Sequence, residues 1–568
     1  MITENEFCLG SSCPTKILHS RANLPRNDRD NSFADWMIAE TGKIHALATV
    51  LFPSAVDAHN SIEETRRLLA DHEFVANARF EYKNASCKVD FVEQSAGKMR
   101  LYSVLAKPWD PRRHEQRLEF HNQAGNIRRE WREHFELVAM RALVVRRLFP
   151  EIRLICKAVV PIKGVAAAVE GLHRCFGREG KKWILCESAG LPEAARLLRV
   201  VDVTREATAV AAAVSTRVDA LDRFAISPEK PELRYSCKKC EFKMGVGRSG
   251  FDVCWGPLAD VNPHMFDLAY MYFVKDQDGQ PAADRLAKEG RVSLFDIPEE
   301  QIEGEYAERQ LLQLEGSKSG QEIIGPGLAD EMKEAVYPLH FLDIETVRSL
   351  VPVHRGSTVA GLTLFQFSVH RSNRPNGELE HLSWLNTDAA DPNPRFLSAL
   401  RAALGDAGTV LIWTKYEENS FHELVSELIG TATEGPDFDW LTRFLSSGRI
   451  LDMHELCFRH YWHPRMKGRT SIKVVLPAVW SGDSAVKKTP RYAEFTDDPY
   501  TVLKAAGAVS DGCDAMQAYL ALQTPERREG MAAQLLRYCG VDTLAMVFVW
   551  DYWKWCLAGN RVAESAGR

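Results

Sequence analysis

The sequence has no large excess of charge of either sign. Its 71 Lys and Arg residues against 77 Asp and Glu give a net charge of -6 at pH 7, so the whole protein is not a basic nucleic-acid binder. Any polyanion site must then be a local basic groove. The sequence also lacks internal repeats and long low-complexity tracts. We expect no apolar run long enough to span a membrane. The first residues, MITENEFCLGSSCPTKILHS, begin acidic and polar and do not predict a secretory signal. We therefore expect a cytoplasmic protein without membrane contact.

Length and cysteine usage indicate a multidomain intracellular protein. A chain of 568 residues is too long for a single hydrophobic core, and about two to four domains are expected. Thirteen cysteines in a cytoplasmic chain do not predict a disulfide framework. We expect most of them to be small buried apolar residues.

The first 230 residues or so alternate between helical and strand patterns. Hydrophobic periodicity predicts helices over 60–74, 130–148 and 193–222, and strands over 74–94, 99–105 and 153–160 with a turn at 95–97. This order is typical of an α/β nuclease core. Residues 227–262 are rich in Cys, Gly, Pro and Lys and predict a ligand-stabilised knot. Residues 264–299 are expected to be helical and then loop-like, and the polar residues 300–335 to connect two domains.

A second α/β region is predicted to begin near Tyr337. Apolar runs predict strands over 340–344, 364–370, 379–384 and 410–413, and periodic segments predict helices over 393–404, 420–429 and 531–554. Three or more consecutive strands followed by helices around another strand fit a ribonuclease-H-like sheet.

Two acidic residues, Asp343 and Glu345, follow the apolar run YPLHFL. Side chains alternate along a strand, so both carboxylates are expected on one face of it. A buried strand that ends in two charges usually needs a partner cation, and carboxylate oxygens suit Mg²⁺ or Mn²⁺. The alternative is an exposed acidic pair at a strand end, because the spacing Asp-x-Glu is common.

Further acidic candidates come from two helices. Glu417 lies where the strand VLIW turns into a helix, with Glu418 as its rival; either could instead be a first-turn acid that complements the helix dipole. Tyr538 and Asp542 are one helical turn apart on one face. They could also be a core aromatic and a surface acid, but a lone Asp in so apolar a helix favours a functional role. Two carboxylates from a strand, one from a helix and a phenol beside them are the parts of a two-metal phosphodiesterase.

These motifs resemble the DEDD exonuclease superfamily, in its tyrosine subtype. The resemblance is in FLDIET at 341–346, YE at 416–417 and YCGVD at 538–542. It implies metal ligation by Asp343, Glu345, Glu417 and Asp542, and an attacking water oriented by Tyr538. The superfamily usually has Asp as its second acid, where this chain has Glu417.

A closer resemblance covers nearly the whole chain. The motifs FQFSVH at 365–370, TSIKVVLP at 470–477 and RYCGVDTLAMV at 537–547 resemble uncharacterised bacterial proteins that join a RecB-like nuclease region to this C-terminal domain. Lys473 of the second motif is a candidate phosphate contact. It could equally be an exposed lysine beside a buried apolar stretch.

Four cysteines form a strong metal signal. Cys237-x-x-Cys240 is followed by Cys254, and Cys13 is the candidate fourth ligand. One early cysteine closing on three late ones resembles the iron-sulfur RecB-like nucleases, which implies a 4Fe-4S cluster that joins the two ends of the nuclease fold. Structural zinc is the alternative. Cys8 is a spare cysteine outside this set.

The N-terminal nuclease core is predicted to be degenerate. A RecB-like core of the PD-(D/E)XK type needs an Asp on one strand, which Asp90 supplies, and Glu-x-Lys on the next. The resemblance puts Ser103 and Leu105 at those two positions, and Arg141 where a Gln is expected. Ser and Leu cannot hold Mg²⁺, so an inactive module that grips nucleic acid is expected. Lys107 would restore a lysine only in a shifted register.

Together these features predict three parts: a RecB-like core closed by the cysteine cluster (1–265), a helical or linker region (266–335) and a ribonuclease-H-like DEDD exonuclease domain (336–568). The expected activity is metal-dependent cleavage of single-stranded DNA or RNA, in the 3′ to 5′ direction. One alternative is an inactive nucleic-acid-binding subunit with a protein partner in a repair or phage-defence complex. Another is cleavage by the first core through an altered set around Asp90 and Lys107.

Overall fold

The computed structural model describes residues 1–28, 32–95, 97–186, 196–245, 247–429, 435–482, 484–493, 495–505, 509–522 and 528–559. Within these ranges the protein is mixed α/β, with one six-stranded sheet, one five-stranded sheet and two two-stranded sheets. The α/β class expected from the sequence is therefore present.

The six-stranded sheet is built by the N-terminal region. The strands of this region are β1 (Val56–Asp57), β2 (Phe74–Tyr82), β3 (Ala85–Ser95), β4 (Lys98–Val104), β5 (Arg153–Pro161), β6 (Phe176–Glu179), β7 (Lys182–Leu185) and β8 (Leu198–Asp202). The sheet order is β1-β2-β3-β4-β5-β8, with β6 and β7 forming a separate hairpin. β1 is parallel to β2 and β4 to β5, and the other neighbours are antiparallel.

Helices cover both faces of this sheet. They are α1 (Glu4–Ser12), α2 (Thr15–Arg21), α3 (Ser32–Thr49), α4 (Ile62–Asp71), α5 (Pro111–Glu115), α6 (Arg129–Leu148) and α7 (Thr204–Ile226), with a 3-10 turn at Leu172–Arg174. α6 buries Trp131, Phe135 and Val138 at helical spacing against one face. α3 packs on the other face, in a cluster that also includes Leu350 and Val351 of the C-terminal region. The two regions therefore share part of their core.

Two predicted N-terminal elements are wrong in detail. The predicted strand over 74–94 is a hairpin, β2 and β3, that turns at Lys83 (φ +48°). The start of the predicted helix over 193–222 is partly the strand β8, because its β-branched residues pair antiparallel with β5. Residues 193–195, and Ala96 of the predicted turn, lie outside the described residues.

The region between the two sheets consists of short elements. They are α8 (Gly250–Trp255), α9 (Ala282–Lys288), α10 (Ala307–Ser319), β9 (Ile323–Ile324), α11 (Gly327–Lys333), and 3-10 turns at Tyr235–Lys239, Gly256–Asp260, Met265–Asp267, Met271–Phe273, Leu294–Asp296 and Glu299–Gln301. One hydrophobic cluster extends from Phe251 to Leu314, so it lies on both sides of the predicted boundary at 265/266. The polar segment predicted to connect domains includes α10, whose Arg309, Gln310 and Gln313 are buried.

The five-stranded sheet is built by the C-terminal region. Its strands are β10 (Leu339–Val347), β11 (Thr363–Ser372), β12 (Leu379–Leu385), β13 (Thr409–Ile412) and β14 (Ile450–Asp452), and β15 (Tyr461–Trp462) pairs with β9 instead. The order is β12-β11-β10-β13-β14. The first three strands run antiparallel to one another, and β10, β13 and β14 are parallel. All four strands predicted for this region are present; β14, only three residues long, was not predicted.

The helices of this region lie on both faces of the five-stranded sheet. They are α12 (Asn393–Leu404), α13 (Tyr416–Leu428), α14 (Pro436–Leu445), α15 (Met453–His460), α16 (Ile472–Trp480), α17 (Pro499–Ala505), α18 (Gly512–Ala521) and α19 (Arg528–Leu557), with 3-10 turns at Pro464–Met466, Ala485–Lys488 and Pro490–Tyr492. α12 to α14 share one core with the sheet, and α16 to α19 share the other.

α19 is the central helix of that second layer. Its length and composition would allow it to cross a membrane, but 61% of its most apolar stretch is buried inside the protein. The expectation that no apolar segment is long enough to span a membrane is therefore wrong. The burial is that of a core helix packed against β10 and β11.

Candidate metal centre

Asp343 and Glu345 lie at the carboxyl end of the parallel strands. β10 pairs with β13 only through Leu339, His340 and Phe341, so the two acids extend beyond the end of the neighbouring strand. On the other side they remain in register with β11. Ligand sites in α/β sheets commonly form at this end of the strands. Asp343 and Glu345 therefore lie at the end of the sheet where a ligand could bind.

Glu417 approaches the same point from the first turn of α13, directly after β13. Its side chain is only 4% exposed, and among the described residues its Oε2 atom has no hydrogen-bond partner. Burial and then the charge of Asp343 raise the pKa of the Glu417 carboxyl well above its ordinary value. A buried carboxylate oxygen without a donor costs free energy unless a cation or a proton neutralises it.

Helices α17 and α19 bring a third set of groups to this point. The Cys539 thiol donates to Oδ2 of Asp343 at 3.2 Å. The Tyr500 hydroxyl of α17 donates to Oδ1 of Asp542. Tyr538 is 2% exposed, and its hydroxyl is a further hydrogen-bond donor to Asp542. All three groups therefore contact the carboxylates predicted as ligands.

Lys473 points into this cluster from α16. Its Nζ atom donates to the Tyr538 hydroxyl at 2.7 Å and lies 4.7 Å from the centre of the same ring. A second contact reaches the carbonyl oxygen of Ser510 at 3.5 Å. The alternative of an exposed lysine beside an apolar stretch is therefore wrong, because helix packing turns this side chain toward α19.

The four carboxylates destabilise one another's charged forms. Burial raises the pKa of each, and the charge of Asp542 raises the pKa of Asp343 further. The charge of Asp343 adds to the effect of burial on the pKa of Glu345. Lys473 acts in the opposite direction on Asp343, Glu345 and Asp542, but one ammonium group cannot balance four carboxylates.

The donor set fits a divalent cation. Ligand atoms of Asp343, Glu345 and Cys539 lie within 4.8 Å of one another. Carboxylate oxygens are the ligands that Mg²⁺ and Mn²⁺ prefer. The Glu417 oxygen that no described residue hydrogen-bonds could serve as a further metal ligand. Bound divalent cations would neutralise the repulsion that raises these pKa values.

Two residues of this cluster, Cys539 and Tyr500, are not among those predicted from the sequence. Cys539 precedes Asp542 by three positions, and i, i+3 residues share a helix face, so the motif itself contained this signal. No local pattern indicates Tyr500, because its position depends on how α17 packs against α19.

The four predicted cysteine ligands, Cys13, Cys237, Cys240 and Cys254, line one cavity of about 240 Å³. Lys16 and His19 line the same cavity. Burial and the charges of the other three cysteines raise the pKa of Cys254 to about 12. In the described part of the chain, no three of these sulfur atoms fall within 4.8 Å of one another. Nε2 of His19 is 3.1 Å from Sγ of Cys254. The chain thus brings its two distant cysteine groups together.

The N-terminal Asp90 faces a guanidinium group. Nη1 of Arg141 lies 2.8 Å from Oδ2 of Asp90 and donates to Oγ of Ser103 at 2.9 Å. Burial alone would raise the pKa of Asp90, but the Arg141 guanidinium and other positive groups nearby lower it below its ordinary value. His45 lies 3.6 Å from the same carboxylate, at the edge of a cavity of about 570 Å³ that Lys88 also lines. A positive side chain therefore already neutralises Asp90.

Residues 340–471 match a family model described as a domain of unknown function, DUF2779. The matched segment contains Asp343, Glu345 and Glu417 and ends before α16, so it leaves out the groups that α16, α17 and α19 contribute. No curated protein and no solved structure matches the chain.

Proposed function

We propose that this protein is a metal-dependent nuclease, a 3′ to 5′ exonuclease on single-stranded nucleic acid whose active site is the C-terminal carboxylate cluster. The main support is the buried Glu417 oxygen, which has no hydrogen-bond partner among the described residues and lies near the buried Glu345 and Asp542 and the half-buried Asp343. Such a site is unfavourable in a folded protein unless it has a function that needs it.

The order of the C-terminal sheet supports a ribonuclease-H-like fold. Three antiparallel strands are followed by two parallel ones, in the order β12-β11-β10-β13-β14, and the acids lie on the central strand and on the helix after β13. α19 crosses this sheet and contributes the last acid. This arrangement agrees with the DEDD resemblance of the three motifs.

The protein's own groups have distinct roles in the proposed reaction. When bound, divalent cations would activate a water and stabilise the charge that develops on the phosphate and the leaving oxygen. Asp343, Glu345, Glu417 and Asp542 would hold them. The Tyr538 hydroxyl, held by Lys473 at 2.7 Å, is fixed in direction and would orient the attacking water.

The N-terminal region is proposed to be a degenerate RecB-like module that binds but does not cut. Arg141 occupies the space beside Asp90 where a cation would have to bind, and Ser103 adds no acid. The cavity next to it, lined by Lys88, Lys181 and Lys182, supports a role in gripping nucleic acid.

The cysteine site is proposed to hold a 4Fe-4S cluster with a structural role. Four thiolates around one zinc, each at about 2.3 Å, would lie closer together than these sulfur atoms do. The cavity of about 240 Å³ between them supports the larger group. The cluster would join the α1–α2 junction, at Cys13, to α8 and the segment before it, and so hold the N-terminal module closed.

A cleavage assay tests this proposal and locates the activity. Anaerobically purified protein would be incubated with 5′-labelled single-stranded DNA or RNA in Mg²⁺, Mn²⁺ or EDTA. We expect a cation-dependent ladder that Asp343→Ala and Glu417→Gln abolish. Glu418→Gln, at the neighbouring and partly exposed acid, should leave the ladder intact.

The N-terminal core provides the decisive comparison. Asp90→Ala should leave the ladder unchanged if the C-terminal site cuts. Loss of cleavage in Asp90→Ala but not in Asp343→Ala would move the activity to the first core. Binding without cleavage in any cation would instead favour a non-catalytic subunit.

A further inference from the structure

Four aromatic side chains form a partly exposed group at the junction of the middle region with α15. This aromatic patch consists of Tyr270, Phe273, Tyr306 and Phe458. The rings of Tyr270 and Tyr306 stack face to face, 3.9 Å apart and within 2° of parallel. Phe273 and Phe458 contact this pair at 5.0 and 5.6 Å. Tyr270 is 42% exposed and Phe273 50% exposed, so part of each ring remains accessible to a ligand.

Buried polar side chains of α10 hold the patch in place. Gln310 is 1% exposed, and its Nε2 atom donates to the carbonyl oxygens of Ala269 and Tyr270. Arg309, also 1% exposed, donates to the carbonyl oxygen of Phe458 at 3.3 Å. Tyr270 itself has a left-handed backbone with φ +52°, which a non-glycine residue adopts rarely. These contacts fix exposed rings in a defined arrangement.

A cationic segment lies directly beside the patch. This basic loop contains Arg465, Lys467 and Arg469, all exposed. Gly468 packs so closely on the chain before Tyr270 that a Cβ atom there would lie 2.0 Å from the carbonyl oxygen of Asp267. Among the residues that the structure describes, Arg465 and Arg469 form no ion pair. Lys467 lies 3.6 Å from Asp267, so within the described part of the chain the charges of Arg465 and Arg469 are the unpaired ones that the loop holds near the aromatic segment.

The basic loop continues into the carboxylate cluster. Thr470 at its end accepts a hydrogen bond from Nε1 of Trp413, directly after β13. Its hydroxyl also contacts His454, whose ring stacks near Phe458. Three residues further on, Lys473 reaches Tyr538. A chain of side-chain and backbone contacts thus links the patch and the loop to the carboxylate cluster.

We propose that the aromatic patch and the basic loop bind single-stranded nucleic acid and lead it to the carboxylate cluster, with bases on the rings and phosphates on the cations. Aromatic faces beside cations are how proteins bind single strands without reading sequence. A duplex keeps its base faces stacked on each other and offers none to these rings. The inference rests on the proposed nuclease function for the identity of the ligand.

Binding without cleavage provides the test. Fluorescence anisotropy would be measured in EDTA with Asp343→Asn as the parent, using labelled oligothymidylate and an abasic oligomer of equal length and charge. Phe273→Ala and Tyr270→Ala should each weaken thymidylate binding by about 5- to 150-fold, as expected for one lost base stack. Tyr270→Phe, which keeps the ring, and Phe295→Ala, an equally exposed aromatic outside the patch, should bind like the parent.

The abasic oligomer separates stacking from charge. It should bind more weakly than thymidylate to the parent and lose nothing further in the alanine variants. Unchanged thymidylate binding by correctly folded Phe273→Ala and Tyr270→Ala, or equal affinity of the parent for both oligomers, would overturn the inference even if the protein cleaves. If the patch variants lose binding but neither the wild type nor any variant cleaves, the patch is a nucleic-acid-binding site and the nuclease proposal is wrong.

Discussion

Replacing Asp343 by Asn should make the cation-free protein more resistant to heat, although it removes a proposed ligand. Ligand atoms of Asp343 and Glu345 lie within 4.8 Å of each other. At an effective dielectric constant of about 20, two unit charges at that distance repel by about 3 kcal/mol. Asn preserves the shape and an acceptor for the Cys539 thiol, so the variant removes charge and little else.

The pH dependence of this effect has a definite sign. Burial and then Asp542 raise the pKa of Asp343 in the folded protein, above the value of about 4 for an unfolded chain. The folded state therefore holds a proton that the unfolded state has lost, and stability falls as pH rises from the unfolded pKa through the folded one. The advantage of Asp343→Asn should be small at about pH 5 and increase toward about pH 9.

Thermal unfolding in EDTA, followed by circular dichroism across this pH range, measures the difference. One kcal/mol shifts the midpoint of a domain of this size by about 2–4 °C, so an increase of several degrees is expected at alkaline pH. Mn²⁺ should raise the midpoint of the wild type and leave that of the variant nearly unchanged. Glu418→Gln is the matched control and should change neither. A variant that is no more stable than the wild type at any pH would refute the electrostatic reasoning.

Three further predictions follow from other contacts. Lys473→Met should slow cleavage by roughly 100-fold, because the Tyr538 hydroxyl loses the contact that directs it. The variant should also move the rising limb of the pH-rate profile to higher pH, because the Lys473 ammonium lowers the pKa of the neighbouring carboxyls. Unchanged kinetics would exclude this role. Cys237→Ser should lose iron and visible absorption, whereas Cys8→Ser should keep both; equal iron content in the two variants would contradict the cluster. Arg141→Ala should destabilise the N-terminal region by about 3–5 kcal/mol, because it leaves the buried Asp90 carboxylate unpaired. Denaturant unfolding measures this loss, and cleavage at low temperature should be unaffected.

The parts of the site that local patterns determine were predictable from the sequence. Alternation along an apolar strand predicted that Asp343 and Glu345 share a face, and helical spacing predicted the same for Tyr538 and Asp542. The structure brings these residues together with Glu417, which was one of two adjacent candidates. Burial separates the two, because the side chain of Glu418 remains partly exposed.

Features that depend on long-range packing were not predictable. Tyr500 reaches Asp542 only because α17 packs against α19. Residues 198–202 are apolar enough for a helix. They form a strand instead because they pair antiparallel with the open edge of β5. The polar composition of α10 suggests a connecting segment. Only the structure shows that Arg309 and Gln310 are buried and donate hydrogen bonds to distant backbone carbonyl groups. In each case the deciding partner lies far away along the chain.

The number of divalent cations that the protein binds decides whether the carboxylate cluster is a metal centre. Mn²⁺ would be titrated into metal-free protein, with free ion followed by electron paramagnetic resonance, in the wild type, Asp343→Asn, Glu417→Gln, Glu418→Gln and Asp90→Asn. The carboxylate cluster predicts about two saturable sites that the first two variants lose and the last two keep. No saturable binding in the wild type, or binding that Asp343→Asn leaves intact while Asp90→Asn removes it, would contradict the account.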